Sequence, residues 1–219
     1  MNGAITNTMA ERLAELGGIV PQRIRVEPAP GTATVEDLAH YNETHSPLCE
    51  LIDSTLVEKA VGYESSLVAV TIATILNAFV RPRKLGVISG ADGMFRLIPG
   101  TTRGPDVAFT SVARLQGGKI PREAYPATAP DLAVEVLSPG NTKAEMSRKR
   151  IEYFHSGVKI VWIIDCHDRS VAVYTSPSSV TELKETQTID GGEVLPGFTA
   201  PVADFLSDLD FWLVSRICG

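Results

Sequence analysis

The spacing of apolar positions along the chain predicts three helices. "TVEDLAHYNE" begins at Thr34 and carries Asp37 three residues later, which is the pattern of a capped helix start. The segment from Tyr63 to Val80, "YESSLVAVTIATILNAFV", is apolar around most of a helical circumference and stops before Pro82, so we predict a buried helix there. "NTKAEMSRKRIEYFHSG" predicts another long helix, closed by Gly157.

Short apolar runs between these helices predict strands. "LCELID" and "TLVEKA" predict a hairpin-like pair, and "GVIS", "MFRLI" and "DVAFT" predict a meander whose turn "GADG" is a hairpin signal. Further strands are predicted at "DLAVEV", "KIVWIID" and "SVAVYTS", and "EVLPGFTAPVADFL" predicts a strand followed by a short helix. This order predicts an α/β fold, a mixed β-sheet flanked by helices.

The length and composition of the chain fit one globular domain with an N-terminal extension. The chain has 219 residues, of which 44% are hydrophobic and 21% are charged. "PAPGT", from Pro28 to Thr32, separates the first segment from the first predicted helix, so we predict an extension over residues 1–33 and a domain over residues 34–219. The polar loop from Gln116 to Pro130 is of the kind that often borders a functional site.

The N-terminus and the cysteines indicate a cytoplasmic protein. We expect no membrane span, because no apolar stretch approaches the roughly 18 to 20 residues that a bilayer requires, and the first residues lack the features of a secretory signal. The three cysteines, Cys49, Cys166 and Cys218, are widely spaced and form no metal-ligand pattern. We therefore expect buried or terminal thiols rather than disulfides or a zinc site.

The charge balance bears on nucleic-acid binding. A net charge of −6 argues mildly against a protein that coats nucleic acid, because non-specific affinity for phosphates comes mainly from Lys and Arg. Two basic clusters, "RPRK" (Arg81 to Lys84) and "KAEMSRKR" (Lys143 to Arg150), could still contact phosphates. The first also suits the C-terminal end of a helix, where cations are favoured.

One acidic residue interrupts the predicted strand "DLAVEVLSPG". Glu135 lies in the middle of an apolar run, and a buried carboxylate requires a partner, a hydrogen bond or a cation. Asp131 falls on the same face of the strand, but four residues at about 3.3 Å each place it roughly 13 Å away, too far to share an ion. We therefore interpret Asp131 as a strand-entry residue.

A second acidic residue stands at the start of another strand, in "RGPDVAFTS". Pro105 suits the first position of a strand, and Asp106 follows it directly. If this strand pairs with the one that carries Glu135, the strands lie about 4.8 Å apart, and both carboxylates can reach one cation. Two converging carboxylates with room for water and phosphate suit Mg²⁺ and phosphodiester hydrolysis.

These residues resemble the PD-(D/E)XK nuclease superfamily, which has the restriction-endonuclease-like fold. In that pattern a lysine usually follows the acidic strand residue by two positions, and here that position is Leu137. The longer segments "CELIDSTLVEKAVG", "GPDVAFTSVARL", "PDLAVEVLSPGNT", "KRIEYFHSGVKIVWIID" and "VLPGF" resemble the Uma family of endonucleases over about Leu48 to Phe205. The resemblance implies that the lysine has moved to the following helix, as Lys149, four residues before Tyr153.

The sequence leaves alternatives open for the remaining site residues. Helical periodicity places Arg150 nearer the centre of the apolar stripe than Lys149, and Lys149 could instead pair with Glu145 one turn earlier. The resemblance implies a further acidic metal ligand from the first core helix, for which Glu64 is the candidate and Glu50 a weaker rival. An acidic residue in the first turn of a helix is also expected from the helix dipole alone.

The first hypothesis is an endonuclease that depends on Mg²⁺ or Mn²⁺ and acts on DNA. Asp106 and Glu135 would hold the metal, with the Val136 carbonyl as a further ligand implied by the resemblance, and Lys149 would orient the nucleophile or balance charge. The resemblance also implies a homodimer. The alternative is a catalytically inactive binding or regulatory module on the nuclease fold, which Leu137 and the acidic net charge favour.

Overall fold

The structure is a computed structural model that describes residues 8–115 and 118–210. The prediction for Cys218 and part of the predicted polar loop lie outside these residues. The described residues form five α-helices, whose bounds are α1 Met9–Glu15, α2 Val35–Thr44, α3 Tyr63–Val80, α4 Lys143–His155 and α5 Val202–Phe205. The predicted cap is confirmed, because the Thr34 side chain accepts the Asp37 backbone N–H and the Asp37 side chain accepts the Thr34 backbone N–H.

Twelve β-strands are described. Their bounds are β1 Cys49–Leu51, β2 Leu56–Glu58, β3 Gly86–Gly90, β4 Phe95–Ile98, β5 Thr101–Arg103, β6 Val107–Ser111, β7 Leu132–Val136, β8 Ile160–Asp165, β9 Ser170–Tyr174, β10 Val180–Lys184, β11 Thr188–Asp190 and β12 Thr199–Pro201. The strands that the apolar pattern missed, β5, β10 and β11, are rich in polar residues, so their alternation carries little signal.

A six-stranded mixed sheet forms the centre of the domain, in the order β10-β9-β8-β7-β6-β3. Its β7 and β8 are parallel and connected by α4, whereas the other neighbours are antiparallel. One face packs α3 and α5 against residues such as Val134 and Trp162, and the other packs α4 through Tyr153 against Ala133 and Val161. The predicted mixed sheet flanked by helices is therefore confirmed.

A second sheet, in the order β2-β1-β5-β4, corrects the predicted meander. The segment "GADG" does make a tight turn, in which the Gly93 N–H donates to the Gly90 carbonyl at 2.9 Å. It does not close a hairpin, because β3 pairs with β6 whereas β4 pairs with β5. A turn signal predicts a local change of direction, and the partner of each strand is decided by contacts distant in sequence.

Helix α3 also requires a correction. With 18 residues and a mean hydropathy of 1.5, it is long and apolar enough to cross a membrane by length and composition alone, which the expectation of no such stretch overlooked. In the structure its Val68, Ile72 and Leu76 pack into the main core. Its opposite side is exposed at Tyr63 and Val70, so the helix is half-buried rather than buried all round.

The residues before α2 pack on the domain. Leu16 and Ile19 are buried against Ile52, which directly follows β1, and Val57 of β2. Arg23 forms an ion pair with Glu145 of α4 at 2.8 Å. The domain boundary that we predict at residue 33 stays a prediction. The segment before it contacts α4, the helix that faces the candidate site.

Candidate active site

Strands β6 and β7 bring Asp106 and Glu135 together. The antiparallel register pairs Val107 with Val134, so one further step along the ladder sets Asp106 opposite Glu135. The backbone N–H of Val136 donates to Asp106 Oδ2 at 2.9 Å, which fixes this carboxylate against the end of β7. The strand pairing on which the shared-cation hypothesis depends is thus present.

Glu135 is 4% exposed, and two side chains of α4 contact its carboxylate. Lys149 Nζ lies 3.1 Å from Glu135 Oε2, and the Tyr153 hydroxyl donates to Oε1. Burial raises the pKa of Glu135 above its usual value, with Lys149 opposing the shift and Asp106 adding to it. Because Lys149 and Tyr153 are one helical turn apart, they face the strand together.

Glu50 on β1 joins this group from the second sheet. Its Oε1 accepts the Gly104 N–H at 3.0 Å and lies 3.3 Å from Lys149 Nζ, and its Oε2 accepts from Arg103 at 2.9 Å. Burial acts to raise the pKa of Glu50, but Lys149 and Arg103 outweigh it and lower the pKa to about 2. Glu50 is therefore held as a carboxylate.

Arg103 connects the group to a longer series of buried charges. Its Nε donates to Glu152 at 2.7 Å, and Glu152 in turn pairs with Arg148 at 2.6 Å. Burial acts to lower the pKa of Arg103, but Glu152 and Glu50 outweigh it and raise the pKa. Its Nη2 has no hydrogen-bond partner within the described part of the chain. Sequence reasoning missed Arg103, which lies on the unpredicted strand β5 two positions before Pro105.

Lys59 stands on the other side of Asp106. Its Nζ donates to the carbonyls of Gly104 at 2.6 Å and Ala91 at 3.1 Å, and lies 3.6 Å from Asp106 Oδ1. The side chain is buried just beyond the end of β2. Sequence reasoning assigned Lys59 no role, because the strand end "VEKA" gives no indication of where the side chain points.

A cleft of about 410 Å³ opens at this end of the site. Its polar lining includes Lys59, Asp106, Ser65 and Ser138, and its apolar walls come largely from α3 and the segment before it. Glu135 and Lys149 do not line it. Asp106, with a side chain 20% exposed, is therefore the acidic residue of the pair that faces the cleft.

The alternatives for Lys149 are resolved geometrically. Glu145 pairs with Arg23 and caps α4, and the alternative ion pair between Lys149 and Glu145 is not among the described ion pairs. Arg150 turns away, and its guanidinium stacks 4.4 Å from the centre of the Tyr174 ring. Of the two basic residues, Lys149 is the one that reaches Glu135.

Three other predicted residues lie outside the group. Asp131 is buried before β7, where it accepts the Ser111 N–H at 2.9 Å and pairs with Arg114 at 2.9 Å and Lys159 at 3.0 Å, as suits a strand-entry residue. Leu137 follows the end of β7. Glu64 is exposed in the first turn of α3, and the described contacts of Asp106 and Glu135 do not include it, so its role as a ligand stays a prediction.

The donor chemistry of the acidic pair fits a hard divalent cation. Mg²⁺ takes one or two carboxylates and keeps several waters, and Asp106 and Glu135 can supply these oxygens. The ammonium of Lys149 now lies between the carboxylates of Glu50 and Glu135. Within the described residues, three possible ligand groups lie within 4.8 Å of one another elsewhere, on half-buried Asp165 at the end of β8 and on the exposed His167 and Asp168.

Comparison with known proteins agrees with the observed fold. The mixed sheet flanked by helices defines the class, a protein of the restriction-endonuclease-like fold. The sequence profile described as "Uma2: Putative restriction endonuclease" matches residues 35–203, and the chain belongs to this family.

One solved structure similar to the chain is described as "a putative nuclease belonging to DUF820 from Anabaena variabilis". It is 17% identical in sequence, with a TM-score of 0.66, and the match covers 74% of this chain and 92% of that one. At this identity the likeness shows the fold. No curated protein matches the chain.

Proposed function

We propose that this protein is a metal-dependent endonuclease that hydrolyses phosphodiester bonds in DNA. The observation that carries the proposal is the approach of three groups to one point, Asp106 at the start of β6, Glu135 on β7 and Lys149 on α4, with Lys149 Nζ 3.1 Å from Glu135. Membership of a family described as restriction endonucleases supports hydrolysis of nucleic acid.

Asp106 and Glu135 hold Mg²⁺ or Mn²⁺ in this proposal, and Glu64 remains a further candidate ligand. A divalent cation, when bound, lowers the pKa of a coordinated water and stabilises charge on the scissile phosphate. Lys149 balances the negative charge of the site and orients the nucleophile through Glu135. Tyr153 holds the second oxygen of Glu135, so that the carboxylate keeps one orientation.

The substrate class and setting are also part of the proposal. We infer DNA as the substrate, bound as a polyanion despite the net charge of −6, because the matching family is described as restriction endonucleases. We further propose that the protein works in the cytoplasm as a homodimer.

The test is cleavage of supercoiled plasmid DNA with Mg²⁺ or Mn²⁺. Asp106→Asn and Glu135→Gln should each reduce cleavage at least a hundredfold, because each removes a proposed metal ligand. Glu193→Gln, which removes one exposed carboxylate elsewhere, is the matched control and should cleave like the wild type. Unchanged nicking by Asp106→Asn and Glu135→Gln, with thermal unfolding like that of the wild type, would contradict the proposal.

A second candidate function is an inactive nuclease-fold module that binds a partner. It is favoured by one observation, that both oxygens of Glu135 already have partners in Lys149 and Tyr153. Calorimetric titration with Mn²⁺ separates the two. The endonuclease binds the ion and loses this binding in Asp106→Asn, whereas the inactive module shows no binding at the acidic pair.

A further inference from the structure

Lys59 is the basic residue that both touches the acidic site and lines the open cleft. Lys149 is 4% exposed and does not line the cleft, so a phosphate entering there meets Asp106 and Lys59 first. The two lysines approach Asp106 and Glu135 from different sides, Lys59 from the end of β2 and Lys149 from α4.

The charge of Lys59 is also the least compensated of the buried cations near the site. Lys149 is shared between Glu50 and Glu135 at 3.3 and 3.1 Å, and Arg103 is paired with Glu50 and Glu152. Within residues 8–115 and 118–210, the carboxylate that Lys59 pairs with is Asp106, at the longer distance of 3.6 Å.

The hydrogen bonds of Lys59 leave one N–H donor of its ammonium for the Asp106 carboxylate and the cleft. An ammonium has three N–H donors, and two of them are used by the carbonyls of Gly104 and Ala91. The remaining donor is available on the side where Asp106 lies. A phosphate brought beside the Asp106 carboxylate adds negative charge to negative charge, and a cation at this position offsets the repulsion.

We propose that Lys59 contacts a backbone phosphate of the bound nucleic acid at the mouth of the site, and so acts as a substrate-binding residue of the reaction. This inference rests on the proposed function, because it takes the cleft as the entrance for a nucleic acid. It assigns separate roles to the two lysines: Lys149 maintains the carboxylates, and Lys59 meets the phosphate.

The test measures binding of a fluorescent duplex oligonucleotide by anisotropy, with EDTA present so that cleavage and metal binding do not contribute. Lys59→Met removes the charge, and Lys59→Gln removes it while retaining an amide that can donate to the carbonyls of Gly104 and Ala91. Each variant should bind about tenfold more weakly at low salt. The slope of log K against log salt should become shallower by about 0.9, the value for one phosphate contact.

Lys184→Met is the matched control, since it removes one exposed lysine from the edge strand β10. It should leave the salt slope unchanged. If wild type binds and cleaves DNA while both Lys59 variants keep the wild-type slope, the inference is overturned and the proposed function stands. If wild type neither binds nor cleaves any oligonucleotide or plasmid, the proposed function fails, and the inference fails with it.

Discussion

Replacement of Lys149 by Met should destabilise the protein strongly and in a pH-dependent way. The substitution keeps a long apolar side chain but removes the ammonium that lies 3.1 Å from Glu135 and 3.3 Å from Glu50. At an effective dielectric constant of about 20, each pair has a gross attraction of about 5 kcal/mol. Desolvation of the ammonium offsets much of this, and loss of one partner of a buried ion pair typically costs about 3–5 kcal/mol.

The pH dependence follows from the carboxylate that the variant leaves behind. Burial already raises the pKa of Glu135, and without Lys149 that pKa rises further. Above the usual glutamate pKa, the folded variant then binds more protons than the unfolded chain, so its stability falls as pH rises through the window up to the raised folded pKa. The loss of stability relative to the wild type should therefore decrease by about 1.4 kcal/mol for each pH unit below that folded pKa.

The loss of stability is measured by urea unfolding in EDTA at about pH 8 and about pH 5. Tryptophan fluorescence reports the unfolding, because Trp162 is fully buried in the folded protein. The double variant Lys149→Met with Glu135→Gln should recover about 2 kcal/mol at the higher pH, since no uncompensated charge remains at residue 135. Lys184→Met serves as the control for loss of one lysine. A loss of stability in Lys149→Met below about 1 kcal/mol, or one that does not change with pH, would contradict this account of Lys149 and Glu135.

Three further substitutions test separate parts of the structure. Asp131→Asn should cost about 2–3 kcal/mol at neutral pH in urea unfolding and leave plasmid cleavage unchanged, and a loss of cleavage would contradict its structural role. Burial acts to raise the pKa of Asp131, but its hydrogen bonds with Ser111, Lys159 and Arg114 outweigh this and lower the pKa. The resulting stability is present above the usual aspartate pKa and is lost as pH falls through the folded value, so the acid limb of the variant should be flatter. Gly86→Ala should lower the free energy of unfolding by at least about 2 kcal/mol in the same assay, because a Cβ at this position would lie 2.1 Å from the Thr110 carbonyl oxygen across the β3–β6 pair. An unchanged stability would contradict this strand pairing. Arg150→Ala should lower the free energy of unfolding by only about 0.5–1 kcal/mol, the contribution of the stacking of Arg150 on Tyr174. The variant should still cleave plasmid DNA. A complete loss of cleavage would give Arg150 the role that we assign to Lys149.

Local patterns predicted most of the elements for identifiable physical reasons. The capping pair Thr34 and Asp37, and Gly157 beyond α4 with a φ of +89°, mark helix ends through interactions within a few residues. The same holds for Asp131, whose position after Pro130 indicated strand entry. Such signals depend on neighbouring residues, so they are readable without knowledge of the fold.

Such local signals did not predict which strands pair with each other. "GADG" predicted a turn correctly but the hairpin wrongly, because β3 pairs with β6 about twenty residues later and β4 belongs to the other sheet. The strong apolar character of α3 likewise predicted a buried helix, whereas the sheet covers one face of it and the opposite side is exposed. In both cases the outcome depends on which surface is available as a partner.

For the candidate site, local patterns were enough to predict an acidic residue within an apolar strand and a second one at the start of another strand, because strand alternation and proline position are local. Folding brings Glu50, Arg103 and Lys59 around them. Glu50 and Arg103 lie in the second sheet and Lys59 directly follows its strand β2, and no short-range pattern encodes the packing of that sheet. The tertiary structure also decided between Lys149 and Arg150, two adjacent residues that periodicity could not separate. A helix rotates by about 100° per residue, so the direction in which the helix packs on the sheet determines which side chain reaches Glu135.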